Sequence, residues 1–456
     1  MNTSITQDYL EDKQFTAKIH NFFKRHQIAA TLKAANAYKS KGFAVSKVFQ
    51  YLFVLIFSNR SMYMDMLTGK NNAEFGKDTV YRFMKSLHIN WLRFTTILAA
   101  KVIKGIEPLT AEDRVNVFIV DDSIYERNRS KKVELLTKVY DHAHKVYKYG
   151  FRMLTLGWSD GNTYVPVNDT LLSSEKSEKR INEAQAVDKR TAAYKRRALS
   201  MKKATHAMLD LLKEAKRAGI KASYVLFDSW FTSPSSIHDI NGLGCHVIAM
   251  VKKSKKMFFR YQGTDMPLTE VYKRNKKRRG RSKYLLSAYV EVMKDGKSIP
   301  AKVVFVRNRS KKKDYLCIIS TNADLSEEEI IRIYGKRWDI EVFFKVCKSY
   351  LRLSKECNSL SYDAMTAHTA IVFTRYMMLA LEERENKDQR SWGELFLLLS
   401  DELSDITWIR AFHLLLDTFM NTVSDKLGLT ETLVNELMDA FIAAIPLELK
   451  KRLKAA

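Results

Sequence analysis

Two apolar runs that lead into an acid constrain this chain more than any other feature. Val115-Asn116-Val117-Phe118-Ile119-Val120 runs into Asp121-Asp122-Ser123, and Tyr224-Val225-Leu226-Phe227 runs into Asp228-Ser229-Trp230-Phe231. β-Branched and aromatic runs of this length, bounded by polar turn residues, are expected as strands buried on both faces. Such strands sit in the middle of a sheet, and in open α/β sheets ligands bind in the crevice beyond the strand carboxyl ends. Taken singly, an Asp after a strand is more often a turn former or a helix N-cap. The pair gains weight from a third acid.

That acid is Glu341, inside the run from Ile333 to Lys348, which is expected as one helix. At about 100° per residue, Tyr334, Arg337, Glu341 and Lys348 fall within an arc of roughly 60°. Ile340, Phe343, Val346 and Cys347 occupy the opposite side, so the helix can bury its apolar half on a sheet and present an acid between an arginine and a lysine. A polar stripe of this kind is more commonly a solvated surface. Combined with Asp121 and Asp228, it has the elements of a two-metal phosphoryl-transfer site.

At this spacing, Tyr334-x2-Arg337-x3-Glu341-x6-Lys348 resembles the Y-R-E-K signature of the insertion-sequence-four family of bacterial DDE transposases. Asp121-Asp122-Ser123 is similar to that family's D-x-(S/T), and Asp228-Ser229-Trp230-Phe231 to its D-x-x-(F/Y). The resemblance spans roughly residues 111 to 380. It favours Asp121 as the first acid, because the hydroxyl residue then falls two places on, with Asp122 as the alternative.

The resemblance implies an α/β fold: an RNase H-like catalytic core with a β-rich insertion, flanked by helical N- and C-terminal regions. The expected divisions are a helical DNA-end-binding region over 1–110, core over 111–251, insertion over 252–322, core with the catalytic helix over 323–385, and a helical region over 386–456. The strand order agrees. Gly150–Trp158 and Thr163–Val167 are expected as a hairpin around Ser159-Asp160-Gly161-Asn162, then a helix over about 204–218 leads to the strand before Asp228. A helix near Pro234 and a strand over Cys245–Val251 follow. The stretch between Asp228 and Glu341 is too long for a simple connection, and Tyr284–Val292 and Ala301–Val306 supply strands for it.

The resemblance also implies the chemistry. Asp121, Asp228 and Glu341 would be the catalytic acids and metal ligands for two divalent cations. Oxygen-only ligation favours magnesium, with manganese as a substitute. Tyr334, Arg337 and Lys348 inherit contacts to phosphates of the transposon end. The partners implied are double-stranded DNA, as terminal inverted repeats and as target, and a second copy of the chain in the DNA-bound complex. Cut-and-paste transposition is the expected activity. A nuclease of the same core without strand transfer, a domesticated DNA-binding protein and a basic RNA-binding protein are the alternatives.

Composition fits a nucleic-acid enzyme: 77 Lys and Arg against 51 Asp and Glu give a formal net charge of +26 over 456 residues, a field that attracts phosphate backbones. The longest basic run, Lys273–Lys283, contributes Lys276, Lys277, Arg278 and Arg279 as expected DNA contacts, and Arg307–Lys313 is a second run. Gly76–Lys85 is expected as a short basic amphipathic helix capped by Asp78; entry into a DNA groove is the rarer use of such a helix.

Other classes are disfavoured. Val48–Phe57, the longest apolar run, is too short for a bilayer core of about 30 Å and is expected as a buried helix. Cys245, Cys317, Cys347 and Cys357 show no C-x2-C pairing, which disfavours structural zinc and disulfides, so a cytoplasmic, nucleoid-associated protein is expected. Asp141-His142-Ala143-His144 lacks a spaced metal partner, and no phosphate-binding glycine fingerprint is present. Beyond Lys348, helices are expected over Ala364–Glu383, Ser391–Ser400 and Glu431–Leu453, the last broken at Pro446.

Overall fold

The two runs that lead into acids become neighbouring strands of one mixed sheet. The computed structural model describes residues 17–57, 62–67, 74–110, 114–142, 144–278, 282–308 and 314–386, with residues 433, 436 and 440 alone beyond them. The expected helices after residue 390 fall outside the described residues save for those three positions, as do Arg279 and residues 309–313 of the second basic run.

Contacts divide the chain into two units. One comprises Met1–Arg25, Val54–Asn72 and Arg390–Ala456, the other His26–Phe53 and Ala73–Gln389. The opening helices are α1 (Ile28–Ala34), α2 (Val45–Val54), α3 (Met62–Leu67), α4 (Lys77–Met84) and α5 (Trp91–Ile106). Of these, α3 belongs to the first unit, where residues 17–25 are also helical. Helix α4 departs from expectation in its cap. Gly76 is the N-cap, with no side-chain bond, and Asp78 lies in the first turn, where its charge favours the helix dipole instead.

The second unit carries strands β1 (Val117–Glu126), β2 (Thr137–Asp141), β3 (Val146–Ser159) and β4 (Tyr164–Leu172), then helices α6 (Ala192–Ser200) and α7 (Ala204–Arg217). Next come β5 (Tyr224–Phe227), α8 (Pro234–Asn241), β6 (His246–Val251), β7 (Phe259–Tyr261), β8 (Thr264–Met266), α9 (Leu268–Arg274), β9 (Tyr284–Lys294), β10 (Lys297–Arg307) and β11 (Tyr315–Ser320). Helices α10 (Glu327–Gly335), α11 (Trp338–Ser349) and α12 (Tyr362–Asn386) close the described chain. Among the described residues no helix is long and apolar enough to cross a membrane, and the four cysteines are buried and free.

The sheet runs β2-β3-β1-β5-β6-β11-β10-β9-β7-β8, with β4 on β3. β1 pairs antiparallel with β3 and parallel with β5, and β5 pairs parallel with β6. Three antiparallel strands followed by two parallel ones form the expected RNase H-like core. Every residue of β5 is buried, as are the first four of β1, as their unbroken apolar runs require. The insertion continues this sheet through the antiparallel pairing of β11 with β6.

Two elements differ from the sequence-based expectation. β1 does not stop at Asp121, because the 14-residue β3 keeps pairing with it from Asp121↔Thr155 to Glu126↔Gly150, beyond the point where β5 ends. β2 is an additional strand; it ends at Asp141 and pairs with the first residues of β3.

Helices cover the sheet. α5 and α12 pack on β4 and on each other, and α11 lies over β1 and β4. A buried cluster ties α6 to α12: Arg197 binds Glu134 Oε1 at 2.7 Å and Asp363 Oδ2 at 2.8 Å, with all three side chains 3% exposed. Opposite charges so placed satisfy each other's hydrogen bonds, and removing one partner strands the rest.

Candidate active site at the β1–β5 boundary

Parallel register aligns the two aspartates. Val120 is opposite Phe227, so Asp121 and Asp228 each follow the last paired residues of adjacent central strands. Asp228 is also a turn former: its Oδ1 accepts the Trp230 N–H at 2.8 Å, and the Thr232 hydroxyl donates to its carbonyl at 3.0 Å. The structural and functional readings of this residue therefore coexist.

The expected single helix from Ile333 is two helices. α10 ends at Gly335 and α11 begins at Trp338, with Arg337 as its N-cap residue. Tight bonds from Lys336 N to Ile333 O and from Arg337 N to Tyr334 O turn the chain between them. The cause is tertiary. Lys336 Nζ donates to Val115 O at 2.6 Å and to Asp160 O at 3.2 Å, fastening the break to the segment just ahead of β1 and to the β3–β4 turn. Gly161 in that turn has φ +88°, and a Cβ there would stand 2.8 Å from Lys336 Cε.

The break delivers Arg337 to the acids. Its Nη1 donates to Asp121 Oδ2 at 3.2 Å and its Nη2 to Glu341 Oε1 at 2.5 Å. Tyr334, at the end of α10, has its ring centroid 6.0 Å from the guanidinium and a buried hydroxyl with no hydrogen-bond partner. On α11, Ile340, Phe343, Val346 and Cys347 are buried as expected, which leaves Glu341 on the side facing Arg337.

Charge in the cluster is under-compensated. Burial pushes the Asp121 carboxyl up to about 7, Asp122 and Asp228 add repulsion, and the Asp122 N–H and Arg337 oppose the rise. Burial likewise raises Asp228, with the Trp230 N–H and Arg337 opposing and Asp122 reinforcing. Burial works against the Arg337 charge, but Tyr334, Glu341 and Asp121 outweigh it and hold the guanidinium above its ordinary pKa. Burial lifts the Tyr334 phenol to about 12.

Asp122 turns elsewhere, as the next residue on a strand must. Arg152 grips it with a forked ion pair, Nη2 to Oδ1 at 2.7 Å and Nε to Oδ2, and stacks over Trp230 at 4.8 Å. Asp122, Arg152, Asp228, Trp230 and Lys348 line a groove of about 850 Å³. Burial lowers the pKa of Lys348, with Glu126 and Asp141 opposing, and the same lysine borders a second cavity of about 730 Å³ with Arg127 and Lys355.

Asp121, Asp228, Tyr334, Arg337 and Glu341 thus share one neighbourhood, and Lys348 lies along the adjoining groove. Lys276, Lys277 and Arg278 stand in the insertion, where Lys277 lies 4.7 Å from the Tyr272 ring and Arg278 4.2 Å from that of Tyr284. Among the described residues, no three His, Cys, Asp or Glu side chains are gathered closely enough to share an ion; Arg337 bridges Asp121 and Glu341 instead. The donor chemistry nevertheless fits a hard divalent cation: carboxylates only, two of them raised by burial and by neighbouring carboxylates. Sequence reasoning misses Arg152 and Lys336, since neither belongs to a motif and each acts through a partner distant along the chain.

An RNase H-like sheet with aspartates at adjacent central strands defines a nuclease-type α/β protein. Residues 50–311, more than half of the chain, match the family model described as DDE superfamily endonuclease, and the chain belongs to that family. Metal-dependent cleavage of DNA is the class of reaction, and DNA the substrate, that membership carries; enzymes of this superfamily generally depend on divalent metal ions. The matched span includes Asp121 and Asp228, while Tyr334, Arg337, Glu341 and Lys348 lie beyond it. No curated protein matches the chain.

Proposed function

We propose that this endonuclease is a transposase of the insertion-sequence-four family, which binds the terminal inverted repeats of its element, cuts both strands and joins the freed 3′ ends to target DNA. The observation that carries the reading is Arg337 spanning Asp121 and Glu341, with Asp228 on the adjacent strand.

Asp121, Asp228 and Glu341 would hold two magnesium or manganese ions, which when bound activate the attacking oxygen and stabilise the departing one. Asp122 is the less favoured first ligand: the hydroxyl residue Ser123 falls two places after Asp121 and not after Asp122, and Asp122 turns to Arg152 on the neighbouring strand. Arg337 covers the acids in the free protein and turns its fork to a phosphate of the transposon end when DNA and metal arrive, since a planar guanidinium grips phosphate at two points. Tyr334 backs that arginine, and Lys348 contacts the strand along the groove. Lys276, Lys277, Arg278 and Arg279 neutralise backbone phosphates further out.

The same proposal includes a homodimer on DNA, a cytoplasmic, nucleoid-associated location, and a division into end-binding region, two-part core, insertion and C-terminal region at residues 110, 251, 322 and 385. Incubating a pre-cut repeat end with a target plasmid in magnesium tests it: end joined to plasmid is the expected product. The second reading, a nuclease without strand transfer, is favoured by the family's description as endonucleases, and release of fragments with no joined product would establish it instead.

A further inference from the structure

The β2–β3 hairpin is an aromatic ribbon that the cleavage chemistry does not use. Tyr140 is directly opposite Tyr147, and Lys138 opposite Tyr149, so all four side chains share one face. The other face carries Thr137, Val139 and Asp141, which are buried. Tyr147 is 71% exposed and Tyr140 38%. Their ring centroids lie 5.1 Å apart, and His142 packs edge-on to Tyr140 at 4.9 Å.

The surroundings are basic. Lys131 and Lys138 each place their ammonium 5.9 Å from the Tyr149 ring, and Lys145 is exposed at the tip. The nearby acids are already engaged: Lys148 binds Glu126 at 2.5 Å and Asp141 at 2.9 Å, and His144 also meets Asp141 at 2.9 Å. Lys138, Tyr140 and His142 line the groove that reaches Asp122 and Asp228.

Exposed aromatic faces beside uncompensated lysines match an unpaired nucleic-acid strand, whose bases offer π-faces and whose backbone offers negative charge. A paired duplex hides those faces. A second copy of this ribbon fits poorly, because a self-complementary contact would set Lys131, Lys138 and Lys145 against themselves in a chain already at +26. We propose that the outer face of the β2–β3 hairpin binds a single-stranded stretch of DNA by stacking its bases on Tyr140 and Tyr147. This does not depend on strand transfer or on the identity of the metal ligands.

Fluorescence anisotropy of the full-length protein in EDTA tests it, with labelled oligothymidylate compared against a duplex of arbitrary sequence and equal length. A protein that never joins ends can still pass this assay. Y140S and Y147S should each weaken oligothymidylate binding about tenfold, with duplex affinity held within about twofold, while the Y140F/Y147F protein should bind both as the wild type does. Unchanged oligothymidylate affinity in Y140S/Y147S would overturn the proposal, and so would equal losses on single strand and duplex. Sedimentation showing that the serine pair dissociates a dimer while oligothymidylate affinity stays intact would assign the face to protein contact and equally end the proposal.

Discussion

At the scale of single residues, Arg337 decides how the site behaves. It is the positive charge that Asp121 and Glu341 share, so in metal-free protein its removal leaves two carboxylates facing one another near Asp228. Arg337→Ala should therefore lower the thermal midpoint in EDTA and gain more from added magnesium than the wild type does, because a divalent ion then supplies the missing charge. Differential scanning fluorimetry with and without magnesium reads this directly; an identical magnesium shift in both proteins would separate Arg337 from the acids. Replacing Asp121, Asp228 or Glu341 by Ala should cut cleavage at least ~1000-fold, about 4 kcal/mol of barrier, while DNA binding in EDTA survives. Cleavage of repeat-bearing DNA by Glu341→Ala at the wild-type rate would remove that residue from the chemistry.

At the scale of elements, the break between α10 and α11 is what the candidate site rests on. Its anchor, Lys336, needs the space that Gly161 leaves empty. Gly161→Ala combines a left-handed backbone with a contact against Lys336, and should cost ~1–3 kcal/mol in chemical denaturation together with a loss of cleavage greater than the loss of stability explains. Helix α12 carries a second testable element. Burial lowers the pKa of His368 to about 4, against an opposing pull from Glu356, whose Oε2 lies 3.7 Å from Nδ1. The unfolded chain thus binds a proton that the folded chain refuses, so this contribution is complete above the ordinary histidine pKa of about 6.5 and is lost as pH falls towards 4. His368→Gln should flatten that part of the stability profile, measured by urea titration between pH 7 and pH 4.

Elements set by their own residues are legible in the sequence, and elements set by distant partners are not. Strands β1 and β5 are readable because burial on both faces demands unbroken apolar runs, and the β3–β4 turn because Asp160-Gly161-Asn162 supplies turn chemistry. β2 exists because β3 extends far enough to receive it, and the α10–α11 break because a lysine reaches Val115, two residues ahead of β1. A helical wheel drawn through Lys336 can only assume continuity, so it gathers Tyr334, Arg337 and Glu341 for a reason that the fold replaces with another. Arg152 is silent because its partner, Asp122, lies on a neighbouring strand.

At the scale of the whole molecule, a net charge of +26 makes DNA affinity a function of ionic strength. The logarithm of the binding constant should fall steeply and linearly with the logarithm of salt concentration, and replacing Lys276 and Lys277 together should reduce that slope by about 2. An unchanged slope in anisotropy titrations would show that these lysines do not meet phosphate.

The insertion and the strands that lead to Asp121 and Asp228 belong to one hydrogen-bonded sheet, from β3 through β6 and β11 to β9. Tyr284 on β9, against which Arg278 rests, is therefore tied to Phe227, the residue before Asp228, through the pairings of β10, β11, β6 and β5. Were Lys276, Lys277 and Arg278 to hold DNA as proposed, the duplex would meet the acids at an angle that this shared register sets.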